Sequence, residues 1–112
     1  MLLAWQDDAT RERWFSMMMA HEPQLQRPPI ETAIRDIRTA GVATIASQVV
    51  DGVTDISAPV MQHDRAICAI TIPFIERRGS GMTMASTTRL LVDAANEVSG
   101  ALDHRSTSSL DN

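Results

Sequence analysis

Three adjoining pieces decide how this chain folds: Gly52-Val-Thr-Asp-Ile-Ser-Ala-Pro-Val60, a polar turn over Met61–Arg65, and Ala66-Ile-Cys-Ala-Ile-Thr-Ile-Pro-Phe-Ile75. Both long runs are rich in β-branched residues and flank a turn containing Gln62, His63 and Asp64, so they predict a β-hairpin even without an Asn-Gly pair. Side chains alternate across a strand. In the first run this puts Thr54, Ile56, Ala58 and Val60 on one face, and Val53, Asp55, Ser57, Pro59 and Met61 on the other. In the second, Cys68, Ile70, Ile72 and Phe74 alternate with Ile67, Ala69, Thr71 and Pro73. That run is apolar on both faces, which predicts a strand covered on both sides.

Working outward, Asp7 or Asp8 can cap a helix that runs to about Ala20. Trp14 and Met18 lie one turn apart on it, as do Phe15 and Met19, giving a broad apolar stripe. The Met17-Met18-Met19 run suits core or interface packing; an adaptable ligand wall is the other use of such residues. Pro29 suits the first turn of a second helix, with Ile30, Ala33, Ile34 and Ile37 on one face and Gly41 as its end. Val42–Ser47 reads as a strand leading through Gln48–Asp51 to the hairpin, and Arg77–Met82 as a mobile loop. Thr83 can cap a last helix whose Leu91, Ala95, Val98 and Leu102 recur at helical spacing. The polar run after Leu102 predicts a flexible tail over 103–112, behind one domain over 1–102. Helix, helix, three strands and helix predict an α+β layer, an antiparallel sheet packed with helices.

These residues resemble the effector-binding domain of IclR-family transcriptional regulators, whose signature is Gly-Val-x-x-Ile-x-x-Pro-Val, a turn, and an Ala-hydrophobic-Ser/Thr-hydrophobic strand. Gly52, Val53, Ile56, Pro59, Val60, Ala69 and Thr71 match in type and spacing. Met1–Trp5 is similar to the family's Leu-Leu-Ala helix end, Ile34–Gly41 to its Ile-Arg-x-x-Gly helix end, and Leu91–Leu102 to its closing helix. The resemblance implies a sensor fold loosely like the GAF and PAS modules. It also implies that the chain is the C-terminal two-thirds of a sensor domain, lacking its first strands and the winged helix-turn-helix through which whole members reach DNA. Family members associate through effector domains as dimers and tetramers, so the resemblance implies self-association. Trp14, Phe15 and Met17–Met19, or edge strands, are its expected contacts.

The resemblance also implies a pocket for a small organic acid or related metabolite. Where the family uses an Asp, a Cys and two serines, this chain has Ile45, Asp55, Thr71 and Pro73, and only Thr71 keeps the chemistry. Of these, Ile45, Asp55 and Thr71 are expected to line one cavity, and Pro73 to mark the end or edge of the sheet. An ionised carboxylate is costly to bury alone. Asp55 therefore calls for a donor-rich ligand, a cation or water, or else a backbone or Arg partner within the chain.

Other chemistry finds little support. His21, His63 and His104 fall in a loop, a turn and the tail, and none neighbours a Cys or carboxylate at metal-ligand spacing. Cys68 can be a nucleophile, but on a buried apolar strand it reads as a small inert hydrophobe. Gly79-Ser80-Gly81 lacks the Lys of a phosphate loop. No catalytic group, metal or cofactor is expected. The chain has 112 residues, 44% of them hydrophobic and 21% charged, which fits one globular domain. No apolar run approaches a membrane span, and a single cysteine suits a reducing cytoplasm. The net charge is −4, with no clustered basic face for nucleic acid. The chain is accordingly expected not to bind duplex DNA specifically. A low-salt gel shift with a promoter fragment checks this, and a sequence-specific band surviving competitor DNA would refute it.

Overall fold

The computed structural model describes residues 1–47, 50–77 and 79–110. A 3-10 turn, Leu2–Trp5, precedes helices α1 (Asp8–His21) and α2 (Arg27–Ala40). Strands β1 (Ala43–Ala46), β2 (Val53–Gln62) and β3 (Arg65–Ile75) follow, then helix α3 (Met84–Leu110). The strands form one antiparallel sheet in the order β1-β2-β3, so the fold is α+β. Gln48 and Val49, in the connection from β1 to the hairpin, and Arg78, in the loop after it, lie outside the described residues.

Local chemistry sets the element ends. Asp7 caps α1: its Oδ1 accepts from the Thr10 backbone N–H at 2.7 Å, which satisfies one of the helix's orphan donors. That bond holds the Asp7 carboxyl below its ordinary pKa. Pro28 stands in the first turn of α2, where its missing N–H costs nothing. Gly41 ends α2 at φ +80°, a conformation glycine adopts freely, and its N–H donates to the Ile37 carbonyl. At the start of α3, Thr83 and Ser86 cap each other: Ser86 N–H donates to Thr83 Oγ1 at 3.0 Å, and Thr83 N–H to Ser86 Oγ at 2.9 Å. The hairpin turn is the pair His63-Asp64, both at positive φ (52° and 65°), the geometry of a type I′ turn. A bulge at Val60/Met61 shifts the register, pairing Val60 with Cys68 and Met61 with Ala66 and leaving Ile67 as the extra residue.

The main core lies between α3 and one face of the sheet. Ile56, Ala58 and Val60 of β2 and Phe74 of β3 meet Leu91 and Ala95 of α3. The inward stripe of α3 is Thr87, Leu91, Ala95 and Ser99, with Leu102 half-buried. Val98, expected on that stripe, is exposed, because Ser99 rather than Val98 continues the i, i+4 row from Ala95. The helix also runs past Leu102, into the stretch expected to be a tail.

A second cluster holds the N-terminal elements. Ala4, Phe15 and Ile34 are buried together, with Leu3, Trp5, Ile30 and Ile37 packed around them. Phe15, expected at an association contact, is only 1% exposed; it is the anchor of this cluster. Arg27 closes one side. It bonds Glu12 from α1 and donates Nε to Glu31 Oε1 at 2.6 Å, and its guanidinium lies 4.5 Å from the Phe15 ring centroid. The Arg27 hydrogen bonds depress the Glu12 pKa. The two clusters are joined by Gln6, whose buried Nε2 donates to the carbonyls of Leu2 and Ala66 at 3.1 and 2.8 Å.

The structure corrects two expectations about β3. It is covered on one face only, since α3 packs on the side of Phe74 while Thr71, Pro73 and Ile75 stay exposed on the other. Cys68 is also exposed. Contacts of α3 run mainly along β2, which leaves the hairpin end of the outer strand uncovered. Position in the layer therefore predicts stability. Ile56→Ala should cost about 2–5 kcal/mol, as for a fully buried core residue, whereas Ile45→Ala should stay within about 0.5 kcal/mol. Urea denaturation of both variants checks the contrast, and equal losses would contradict this layering.

Candidate functional site

The backbone ladder fixes how the candidate residues meet. Ser47 N–H donates to the Val53 carbonyl at 2.8 Å, so the odd-numbered residues of β2 turn their backbone groups towards β1. Rows alternate in an antiparallel pair. The rows Asp55–Pro73, Ser57–Thr71 and Pro59–Ala69 are thus those that exchange no bonds between β2 and β3. Both prolines fit this pattern. The nitrogen of Pro73 points to the free edge of β3, and that of Pro59 to a side that β1 has left, because β1 stops with Ala43 opposite Ser57.

The same register gathers the four candidate residues. Ile45 pairs with Asp55, and Asp55 with Pro73, forming one row across all three strands. Thr71 stands in the next row, opposite Ser57. Side chains are close in rows without ladder bonds, and Ser57 Oγ lies 2.8 Å from Thr71 Oγ1. All five share the sheet face turned away from α3. Asp55 is half-buried, and no ion pair among the described residues reaches it.

The face is open. Ile45 is 60% exposed, and Thr71 and Pro73 are exposed as well. The five surface cavities described are lined by other residues, and Ile45, Thr71 and Pro73 stand open to solvent. The reason is layering: the one helix that packs closely on the sheet, α3, takes the opposite face. What the surface offers chemically is one carboxylate acceptor beside a pair of hydroxyls, rimmed by Ile45 and Ile75.

Sequence reasoning passed over two groups of residues. Alternation places Ser57 on the same face as Asp55, but only the cross-strand register brings its hydroxyl opposite Thr71. The other is a groove of about 270 Å³ lined by Arg11, Glu12, Arg27, Glu31, Arg35 and Arg38. The spacing Arg27-Glu31-Arg35 on one helix signals part of it; the contributions of α1 depend on how the helices pack. On the outer side of α1, Met17 is 64% exposed, Met18 and Met19 less so, and Trp14 is half-buried. Among the described residues, no three His, Cys, Asp or Glu side chains gather to hold a metal ion. No described helix is long and apolar enough to cross a membrane.

The C-terminal domain model of the bacterial IclR transcriptional regulators matches residues 1–100. This chain belongs to that family. Among solved structures, the IclR-type domain is similar to a C-terminal domain assigned to a transcriptional regulator of Vibrio cholerae, at 26% identity and a TM-score of 0.63. The match covers 85% of this chain and 56% of that one, so the chain spans little more than half the length of its solved relative. No curated protein matches the chain. The IclR C-terminal family is a class of regulator domains rather than of enzymes.

Proposed function

We propose that this chain is the effector-sensing portion of an IclR-type transcriptional regulator, working in the cytoplasm, and that a small polar metabolite binds the open sheet face at Ile45, Asp55, Thr71 and Pro73. The observation that carries this reading is the three-strand row Ile45–Asp55–Pro73 with the Ser57–Thr71 hydroxyl pair beside it. Asp55, when ionised, only accepts hydrogen bonds, so the ligand presents donors to it, as the hydroxyl of a hydroxy acid or an amine does. The hydroxyls of Ser57 and Thr71 can each donate or accept, and so can orient a carboxylate away from Asp55. In this reading, binding changes the geometry of the assembled regulator and thereby DNA binding by a winged helix-turn-helix outside this chain. The role is sensing, not catalysis.

A second reading, an interaction module that associates with its own kind or with longer relatives and binds no ligand, is favoured by the openness of the sheet face. Both readings include self-association through α1, where Trp14, Met17, Met18 and Met19 leave apolar surface uncovered while Phe15 supports the helix from within.

Two measurements test these readings. Calorimetric titration with a panel of small hydroxy and amino acids should give a saturable heat for at least one, and Asp55→Ala should weaken that binding by about tenfold or more, the scale of a charge-assisted hydrogen bond. Unchanged binding in the variant would remove Asp55 from the site; silence across the panel would favour the interaction module. Sedimentation over a range of concentrations should show a dimer or larger species that Met17→Glu dissociates. A sharp monomer at every concentration would sink the association and its assignment to α1.

A further inference from the structure

The groove between α1 and α2 holds more positive charge than its carboxylates neutralise. Among the described residues, Arg11, Arg27, Arg35 and Arg38 line it against two acids, Glu12 and Glu31, in a chain whose net charge is −4. Two of the arginines are already engaged. Arg27 gives Nε to Glu31 and both terminal nitrogens to Glu12. Arg11 donates to Asp8 Oδ1 and to the carbonyls of Leu3 and Gln6. The other two are not. Glu31 stands four residues from both Arg27 and Arg35, within reach of either on the helix surface, and it pairs with Arg27. Asp36 adjoins Arg35 in the chain, but neighbours on a helix do not face each other, and Asp36 is absent from the groove lining. No ion pair among the described residues reaches Arg35 or Arg38, and both are exposed. The Arg38 guanidinium lies 5.9 Å from the Trp5 ring centroid. Stacking of that kind uses its flat face and leaves its N–H donors available.

We propose that this groove is a second small-molecule site, for a compact phosphate-bearing compound whose phosphate oxygens accept from Arg35 and Arg38 together. The two arginines stand one turn apart on α2 and line the same groove, so their side chains can converge on one group. A guanidinium fork matches a pair of oxygens on a carboxylate or phosphate. A carboxylate has one such pair and one charge. A phosphate has three acceptor oxygens and close to two charges, so it can take both forks. The acids do not stand in the way. Arg27 holds Glu12 and Glu31 towards the start of α2, and Arg38 lies roughly 16 Å from Arg27 along the helix axis at 1.5 Å per residue. Ile34 lines the groove between them. The groove, at about 270 Å³, is larger than a phosphate ion and leaves room for a small esterified body. The site is independent of Asp55, which belongs to β2 on the open sheet face.

The test titrates the whole chain by calorimetry and follows its melting, with inorganic phosphate and glycerol phosphate as probes and acetate as the single-fork counterpart at matched ionic strength. Phosphate should bind saturably and raise the melting temperature with its concentration, as a ligand of the folded state does. Glycerol phosphate should bind at least as tightly, and acetate about tenfold or more weakly. Arg35→Gln and Arg38→Gln should each weaken phosphate binding about tenfold, the scale of a charge-assisted hydrogen bond. Gln is nearly as good a helix former as Arg, so α2 should persist in both. Arg13→Gln, which removes an exposed arginine of α1 outside the groove lining, should leave binding unchanged, as should Asp55→Ala. Heat that never saturates, equal binding of acetate, exclusion of the glycerol ester, or an equal loss in Arg13→Gln would overturn the proposal, the last because it would reduce the effect to net charge. Should Arg38→Gln fail to fold for want of its Trp5 contact, Arg35→Gln against Arg13→Gln decides alone.

Discussion

Everything else in the molecule depends on α3 lying against one face of β2. Ile56, Ala58 and Val60 are almost fully removed from solvent there, as are Leu91 and Ala95 opposite them. Burying a side chain of Val or Leu size contributes about 1.5–3 kcal/mol. Small residues at Ala58 and Ala95 let the helix approach the strand, and Ile56, Val60 and Leu91 fill the space on either side. With this seam closed, the even-numbered residues of β2 are fixed inward. A register slip of one residue would expose them and bury Asp55.

The N-terminal elements attach to that layer as a smaller body with its own centre. Phe15 is held between Ala4 and Ile34, and Arg27 covers the ring while bonding carboxylates from both helices. Exposed ion pairs are individually weak; Arg27 combines two carboxylates and a ring contact at one guanidinium. The link from this body to the sheet is narrow by comparison. Gln6 spends both of its amide hydrogens on carbonyls, one local and one on β3. A narrow link between two packed bodies is a place where they can shift against each other.

The proposed ligand face follows from the same layering. Because α3 claims one side of the sheet, the side bearing Asp55, Ser57 and Thr71 is left for a ligand or a partner. Pro73 contributes by default: at the outer edge of β3 it removes an N–H that an added strand would use, so it blunts that edge against pairing. The carboxylate at Asp55 likewise discourages a bare apolar partner, since it would be desolvated without compensation.

Local order carries its own signal, and much of the fold was legible for that reason. Alternation of Ile56, Ala58 and Val60 with Asp55, Ser57 and Pro59 identified the strand and its two faces; Asp7, Gly41 and Thr83 marked helix ends through chemistry within a few residues of the chain; and the family motifs around Gly52–Val60 identified the type of domain. Alternation says which residues share a face but not whether anything covers it. The apolar composition of β3 suggested cover on both sides, yet Cys68, Ile67 and Ile75 are exposed because the helix lies over the neighbouring strand. Likewise, the helical stripe on α1 could not say which of Trp14, Phe15 and the three methionines turns inward, because that depends on where Ala4 and Ile34 arrive from elsewhere in the chain. The meeting of Ile45, Asp55 and Pro73 in one row, the hydroxyl pair of Ser57 and Thr71, and the unpaired indole of Trp5 are products of register and packing between segments distant in sequence. Only the tertiary structure decides such contacts, because their energy arises only once those segments are brought together.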